Sequence, residues 1–194
     1  AFAAERVGVA PSDLAFELPS TAAAPGARVR MHPAPDLPRG KSAALVHLDG
    51  VLAGRYQYSQ RFLPTESLVD TSDLTLDATQ ASAVRDGRLD ALLDTLAARE
   101  HALLTRILEN PALTGEDVRA ARFAGYALLN DPQGDLKDPL LAKLWRAPLF
   151  PAGRSFDDVL RFALINGHPR AHDGLTDQEN SQLASFLMRV QRRA

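Results

Sequence analysis

A chain of 194 residues with 45% hydrophobic and 24% charged positions has an ordinary globular composition, and can bury roughly 70% of its unfolded surface without a disulfide or metal staple. It has no cysteine and a formal net charge of −2, which excludes disulfides, thiolate nucleophiles, thiolate metal centres and the strong positive excess of a domain that lives on phosphate backbones. The charge is even along the chain, with seven acids and seven bases in residues 1–72 and 17 acids and 15 bases after them.

No apolar run approaches the roughly 18–20 residues a membrane-crossing helix needs. The opening AFAAERVGVA lacks the basic and then apolar build of a secretory signal, and it does not start with Met. We therefore expect a cytoplasmic segment cut from a longer protein.

Residues 1–27 are rich in Ala, Pro and Ser and have little to bury, so a partly ordered segment is expected there, with VGVA (7–10) and LAFEL (14–18) as short edge strands or turns. A single domain is expected over 28–194, with strands over about 28–70 and helices over about 77–191. RVRMH (28–32) alternates polar and apolar residues, the mark of a half-buried strand. Pro33, Pro35 and Pro38 make the next stretch a loop. ALVHL (44–48) and VLAGRYQY (51–58) flank Asp49-Gly50, a pair that accepts the positive φ angles of a type I′ hairpin turn. RFLP (61–64) and SLV (67–69) offer one or two further strands. The expected sheet is a small antiparallel meander of three to five strands.

Asp77 with Gln80 has capping-box spacing and predicts a helix start near Ala78. A long helix follows from Asp86 to Asn110. Leu89, Leu92, Leu93, Leu96, Leu103, Leu104, Ile107 and Leu108 form its apolar stripe, and Asp90, Asp94, Arg99, Glu100 and Arg106 fall mostly outside it. It ends before Pro111. Four more helices are predicted by their starts: Thr114 with Asp117, Asp138 before Pro139, Ser155 with Asp158, and Thr176 with Glu179. Asn166-Gly167 is a stop for the third of these. In the last, Leu183, Phe186, Leu187 and Val190 share a face, and Arg189, Arg192 and Arg193 stand near its end.

The search for chemistry returns mostly structural explanations. There is no phosphate-binding G-x-x-x-x-G-K-S/T, no G-x-G-x-x-G and no G-x-S-x-G elbow. Gly153-Arg154-Ser155 could seat an anion at a helix start, but an N-cap accounts for it. His168, His172 and Asp173 lie within six residues and are the only candidate metal ligands. Pro169 and Gly174 make that stretch a loop that does not aim two imidazoles at one ion. His47 reads as a packed or edge histidine, and His101 as part of a solvated helix flank. Glu116-Asp117 and Asp157-Asp158 sit in first helical turns, where the helix dipole favours negative charge. The C-terminal RVQRRA would give at most weak, salt-sensitive nucleic-acid binding. In LLAKLWRAPLFPAGRSFDDVL, Pro148 and Pro151 hold the chain extended around Trp145, Leu149 and Phe150. Those three, with Arg154, are the candidate partner-binding residues if they are exposed and not tucked under the last helices.

The phrases DGVLAGR (49–55), VDTSDLTLD (69–77) and APLFPAGRSFDDVL (147–160), together with the long helix, give residues 40–165 an order of features that resembles the region following the ATPase domain in large bacterial GHKL-type, chaperone-like ATPase proteins. None of that family's nucleotide-binding motifs is present, so the resemblance implies an accessory or substrate-contacting module and carries over no ATPase residue. The expected fold is α+β, with the small sheet packed on four to six helices. The expected function is a non-enzymatic protein-interaction or regulatory domain that needs no cofactor and no membrane, its partner being another protein or another domain of the same protein. A hydrolase-type enzyme with a dispersed active site is the alternative.

Overall fold

The computed structural model describes residues 12–37, 41–59, 62–79, 82–128, 138–166 and 175–191. The fold is α+β. Strands β1 (Leu14–Leu18), β2 (Ala27–Pro33), β3 (Lys41–Leu48), β4 (Val51–Ser59) and β5 (Thr65–Thr71) are followed by helices α1 (Gly87–Ala98), α2 (Glu100–Glu109), α3 (Gly115–Leu128), α4 (Pro139–Arg146), α5 (Phe156–Asn166) and α6 (Asp177–Gln191). By packing, the chain divides into two compact units, residues 1–120 and 121–194. LAFEL, placed in the partly ordered segment, is a strand of the sheet.

The sheet departs from the expected meander. Its order is β1-β2-β5-β3-β4, so the last strand in sequence lies in the middle. β5 pairs antiparallel with β2 and parallel with β3, which makes the sheet mixed and not purely antiparallel. Thr65, Ser67, Val69 and Thr71 are buried on one face of β5 and Asp70 on the other, while Glu66 and Leu68 are half-buried; bonding along both edges of the strand places it inside the sheet. Val29, Val69 and Val46 stand side by side across β2, β5 and β3 and are almost fully buried. The Asp49-Gly50 turn is as expected, with φ of +50° and +83°. It is fastened to the end of β5, where Gly50 N–H donates to Asp70 Oδ1 at 3.0 Å and Asp49 N–H to the Thr71 carbonyl at 3.2 Å.

Asp77 does not start a helix. Its carboxylate accepts from the Thr79 N–H and hydroxyl at 3.1 and 2.7 Å, a local turn that satisfies the same side chain a capping box would use. Helix α1 starts at Asp86, whose Oδ1 accepts from Arg88 and Leu89 N–H. The predicted long helix is two segments, broken at Arg99 (φ −85°, ψ −7°). Its stripe is otherwise as predicted, with Leu89, Leu92, Leu93, Leu96, Leu103, Leu104 and Ile107 buried. Each such leucine contributes about 1.5–3 kcal/mol of transfer free energy.

Glu100, expected near water, is fully buried. Its Oε2 accepts from the Phe62 and Leu63 N–H at 3.0 and 3.2 Å. Those amides belong to the connection between β4 and β5, outside any strand ladder, and a buried N–H needs an acceptor. The first turn of α2 also favours the negative charge there.

In residues 121–194 the packing centre is Phe156. Its ring meets Tyr126 at 5.5 Å, Phe150 at 4.9 Å and Phe186 at 5.7 Å, edge to face, and stacks on Trp145 at 6.5 Å between centroids. Such pairs add about 0.5–1.5 kcal/mol each beyond their buried area. The predicted caps are present. Ser155 with Asp158 and Thr176 with Glu179 form reciprocal boxes, and Asp138 accepts from Leu140 N–H. Thr114 with Asp117 caps α3 in the same way.

Candidate interaction groove beside the edge strand

Because β5 takes the central place, β4 is left as the outermost strand on its side of the sheet. Its first half is covered. Ala83 N–H donates to the Ala53 carbonyl at 3.2 Å, Tyr56 hydroxyl donates to the Ala83 carbonyl at 2.8 Å, and Leu76 bridges to Ala83. Among the described residues, no other segment bonds to the outer side of β4 between Arg55 and Ser59. Helix α1 lies alongside. Between them runs a groove of about 490 Å³, with Lys41, Gln57 and Ser59 on the strand side and Asp90, Leu93, Asp94 and Ala97 on the helix side.

The groove's charges divide into a satisfied pair and an unsatisfied one. Arg85 Nε donates to Asp90 Oδ1 at 3.0 Å, so these two cancel. Lys41 and Asp94 also line the groove, and neither has an ion-pair or hydrogen-bond partner among the described residues. Tyr58 forms part of the wall, but its hydroxyl turns inward to Thr65 Oγ1 at 2.8 Å and Ser67 Oγ at 3.4 Å. Ser42 completes this buried hydroxyl cluster by accepting from Thr65 N–H and Oγ1. Burial pushes the Tyr58 hydroxyl above its ordinary pKa of 10.0, and the nearby Glu100 adds to the rise. It is therefore neutral across the physiological range and works as a packing and hydrogen-bonding group.

A smaller cleft of about 280 Å³ opens at the other end of the sheet, where Glu17, Arg28, Asp49 and Asp70 meet. Its central charges are already used: Arg28 pairs with Asp70 at 2.6 Å. Close by, Arg88 grips Asp73 with two nitrogens at 3.0 and 2.6 Å, and Ser20 Oγ donates to the same carboxylate.

The residues singled out in the sequence fall as follows. Leu149 and Phe150 are buried beside Phe156, and Trp145 is half-buried against the same ring. Arg154 lies over the Phe162 ring at 5.5 Å. The N–H and hydroxyl of Ser155 are engaged with Asp158. Asp117 serves as a capping partner, and Asp157 pairs with Arg161 at 3.0 Å. His47 is half-buried on β3 and His101 is exposed on α2. His168, His172, Asp173, Arg192, Arg193 and the side chain of Arg189 lie outside the described residues. Among the described residues no group of three or more His, Asp or Glu side chains could hold a metal ion, and no helix is long and apolar enough to cross a membrane.

The groove was not foreseen from sequence. Two of its parts were expected singly: a hairpin strand over 51–58, and a helix with Asp90 and Asp94 off its apolar stripe. Only the insertion of β5 makes β4 an edge and brings these faces together. No family model matches the chain, and neither a curated protein nor a solved structure matches it.

Proposed function

We propose that this chain is a non-enzymatic protein-interaction and regulatory domain, and that it engages its partner through the groove between β4 and α1. The observation that carries this reading is the open half of β4 facing a helix with an uncompensated carboxylate. Strand edges recognise extended chains through backbone hydrogen bonds, while the neighbouring helix supplies side-chain contacts. The groove volume falls in the range of sites that take a ligand of several residues. A bacterial origin, and a role as an accessory module of a larger protein, rest on the likeness to the GHKL-type proteins. The Trp145, Leu149, Phe150 and Arg154 surface is retained as a second contact only through the half-buried Trp145 and Arg154.

The test is affinity capture from the source lysate with three baits: the natural chain, Ala97→Arg and Ile165→Ser. Ala97 lines the groove, and an arginine there fills it while remaining a good helix residue. Ile165 is 82% exposed on α5, does not line the groove and serves as the control. A partner kept by the natural chain and Ile165→Ser but lost by a folded Ala97→Arg is the expected result. Equal recovery on all three baits would count the groove out.

A further inference from the structure

We infer that the groove takes its partner as an added β-strand, an extended peptide that carries a basic side chain set against Asp94 and an acidic one set against Lys41. This rests on the interaction reading above and names the partner's chemistry.

Alternate residues of a strand turn both N–H and C=O to the same side, so Gln57–Ser59 presents a backbone pair outward at every second position. The outer side of β4 already takes a backbone donor from the chain itself, since Ala83 N–H bonds there to the Ala53 carbonyl. An incoming strand rises about 3.3 Å per residue, so its side chains facing one way recur at about 6.7 Å. One turn of α1 advances about 5.4 Å, close to that repeat. Two successive helix-facing side chains of the peptide therefore meet successive turns of α1. One of them lies against the exposed carboxylate of Asp94, with the half-buried Ala97 beside it.

Charge then sets selectivity. Arg85 and Asp90 neutralise each other at 3.0 Å, leaving Asp94 and Lys41 as the charges a ligand can answer. Lys41 stands opposite Ser59 in the β3–β4 register, so it marks the end of the groove at the strand's C-terminus. A peptide with one cation and one anion satisfies both, and its direction along β4 follows from which comes first. Exposed charge pairs are worth little singly and weaken with salt, so they discriminate between peptides while the backbone ladder holds them.

The experiment is selection from a displayed library of random dodecapeptides on the full chain, on Asp94→Lys and on Lys41→Glu, each checked by circular dichroism. Both side chains are exposed, so these reversals leave the fold intact. The natural chain is expected to enrich peptides with a basic residue at one fixed position and an acidic residue at another. Asp94→Lys should exchange the basic preference for an acidic one and weaken the peptides selected on the natural chain about five- to tenfold. Lys41→Glu should invert the second position alone. A selected synthetic peptide should slow amide exchange at Gln57–Ser59. Charge preferences that ignore both reversals, or binding without protection of those amides, would overturn strand addition while leaving the interaction reading in place. No enrichment on any bait, together with lysate capture indifferent to Ala97→Arg, would remove both.

Discussion

Asp73 shows how much a single carboxylate can organise. Its hydrogen bonds to Arg88, and then the one from Ser20, hold its pKa at about 2 against an ordinary 3.8. A carboxyl whose folded pKa is depressed contributes stability above its unfolded pKa and loses it as pH falls through the folded value. The contribution of Asp73 is therefore complete above pH 4 and disappears toward pH 2. Replacing Arg88 with Met should return the Asp73 titration toward the ordinary carboxylate range, which a carbon-detected NMR titration would read directly; an unmoved midpoint would mean that other groups depress it. Tyr58 makes the opposite kind of contribution, through a neutral hydroxyl buried with two hydroxyl partners. Tyr58→Phe should cost about 1–2 kcal/mol in a urea unfolding experiment. Asp73, Arg88 and Tyr58 were visible in the sequence as residues, but nothing in their spacing pairs Asp73 with an arginine 15 positions on or Tyr58 with Ser67.

At the scale of elements, helix starts were the most legible feature. Thr114, Asp138, Ser155 and Thr176 each act as expected, because a cap is a contact between residues two or three apart and the chain alone determines it. Asp77 failed for the same local reason: a short turn to Thr79 competes for the same carboxylate. Glu100 was misplaced because its partners lie 37 and 38 residues away. Helix α3 holds a further case that sequence would misjudge. Gly125 in mid-helix invites replacement by Ala for a gain of about 1 kcal/mol in propensity. A methyl group there would be driven into the Phe156 ring, at the centre of the aromatic cluster, and such overpacking costs about 1–3 kcal/mol. Gly125→Ala is therefore expected to destabilise residues 121–194, read as faster amide exchange in α5 and α6. A stabilised variant would mean that Phe156 moves aside freely.

At the scale of the whole molecule, the class of fold was legible and its sheet order was not. Alternating strands followed by amphipathic helices predict α+β without specifying partners. SLV within β5 reads equally well as an edge or a central strand, since three residues carry too little pattern to show which neighbours they pair with. The candidate groove inherits that ambiguity. Gln57 and Asp94 are exposed polar residues in any arrangement, and they share a groove only because β5 separates β2 from β3. The division into residues 1–120 and 121–194 follows a similar logic: the cluster of Tyr126, Trp145, Phe150, Phe156 and Phe186 gives the second stretch a core of its own.

The central position of β5 also sets an order of events during synthesis. When β4 leaves the ribosome, β3 and β4 can close as a hairpin through Asp49-Gly50, but β2 and β3 still expose the edges that β5 will fill. Until Thr71 has emerged, the nascent chain carries two open strand edges, the condition under which strands from neighbouring chains pair wrongly. Pulse-labelled exchange during refolding should find β3–β4 amides protected first and those of β2 and β5 together and later, because the latter wait on contacts about 40 residues apart. Simultaneous protection of all five strands would show instead that the sheet condenses in one step.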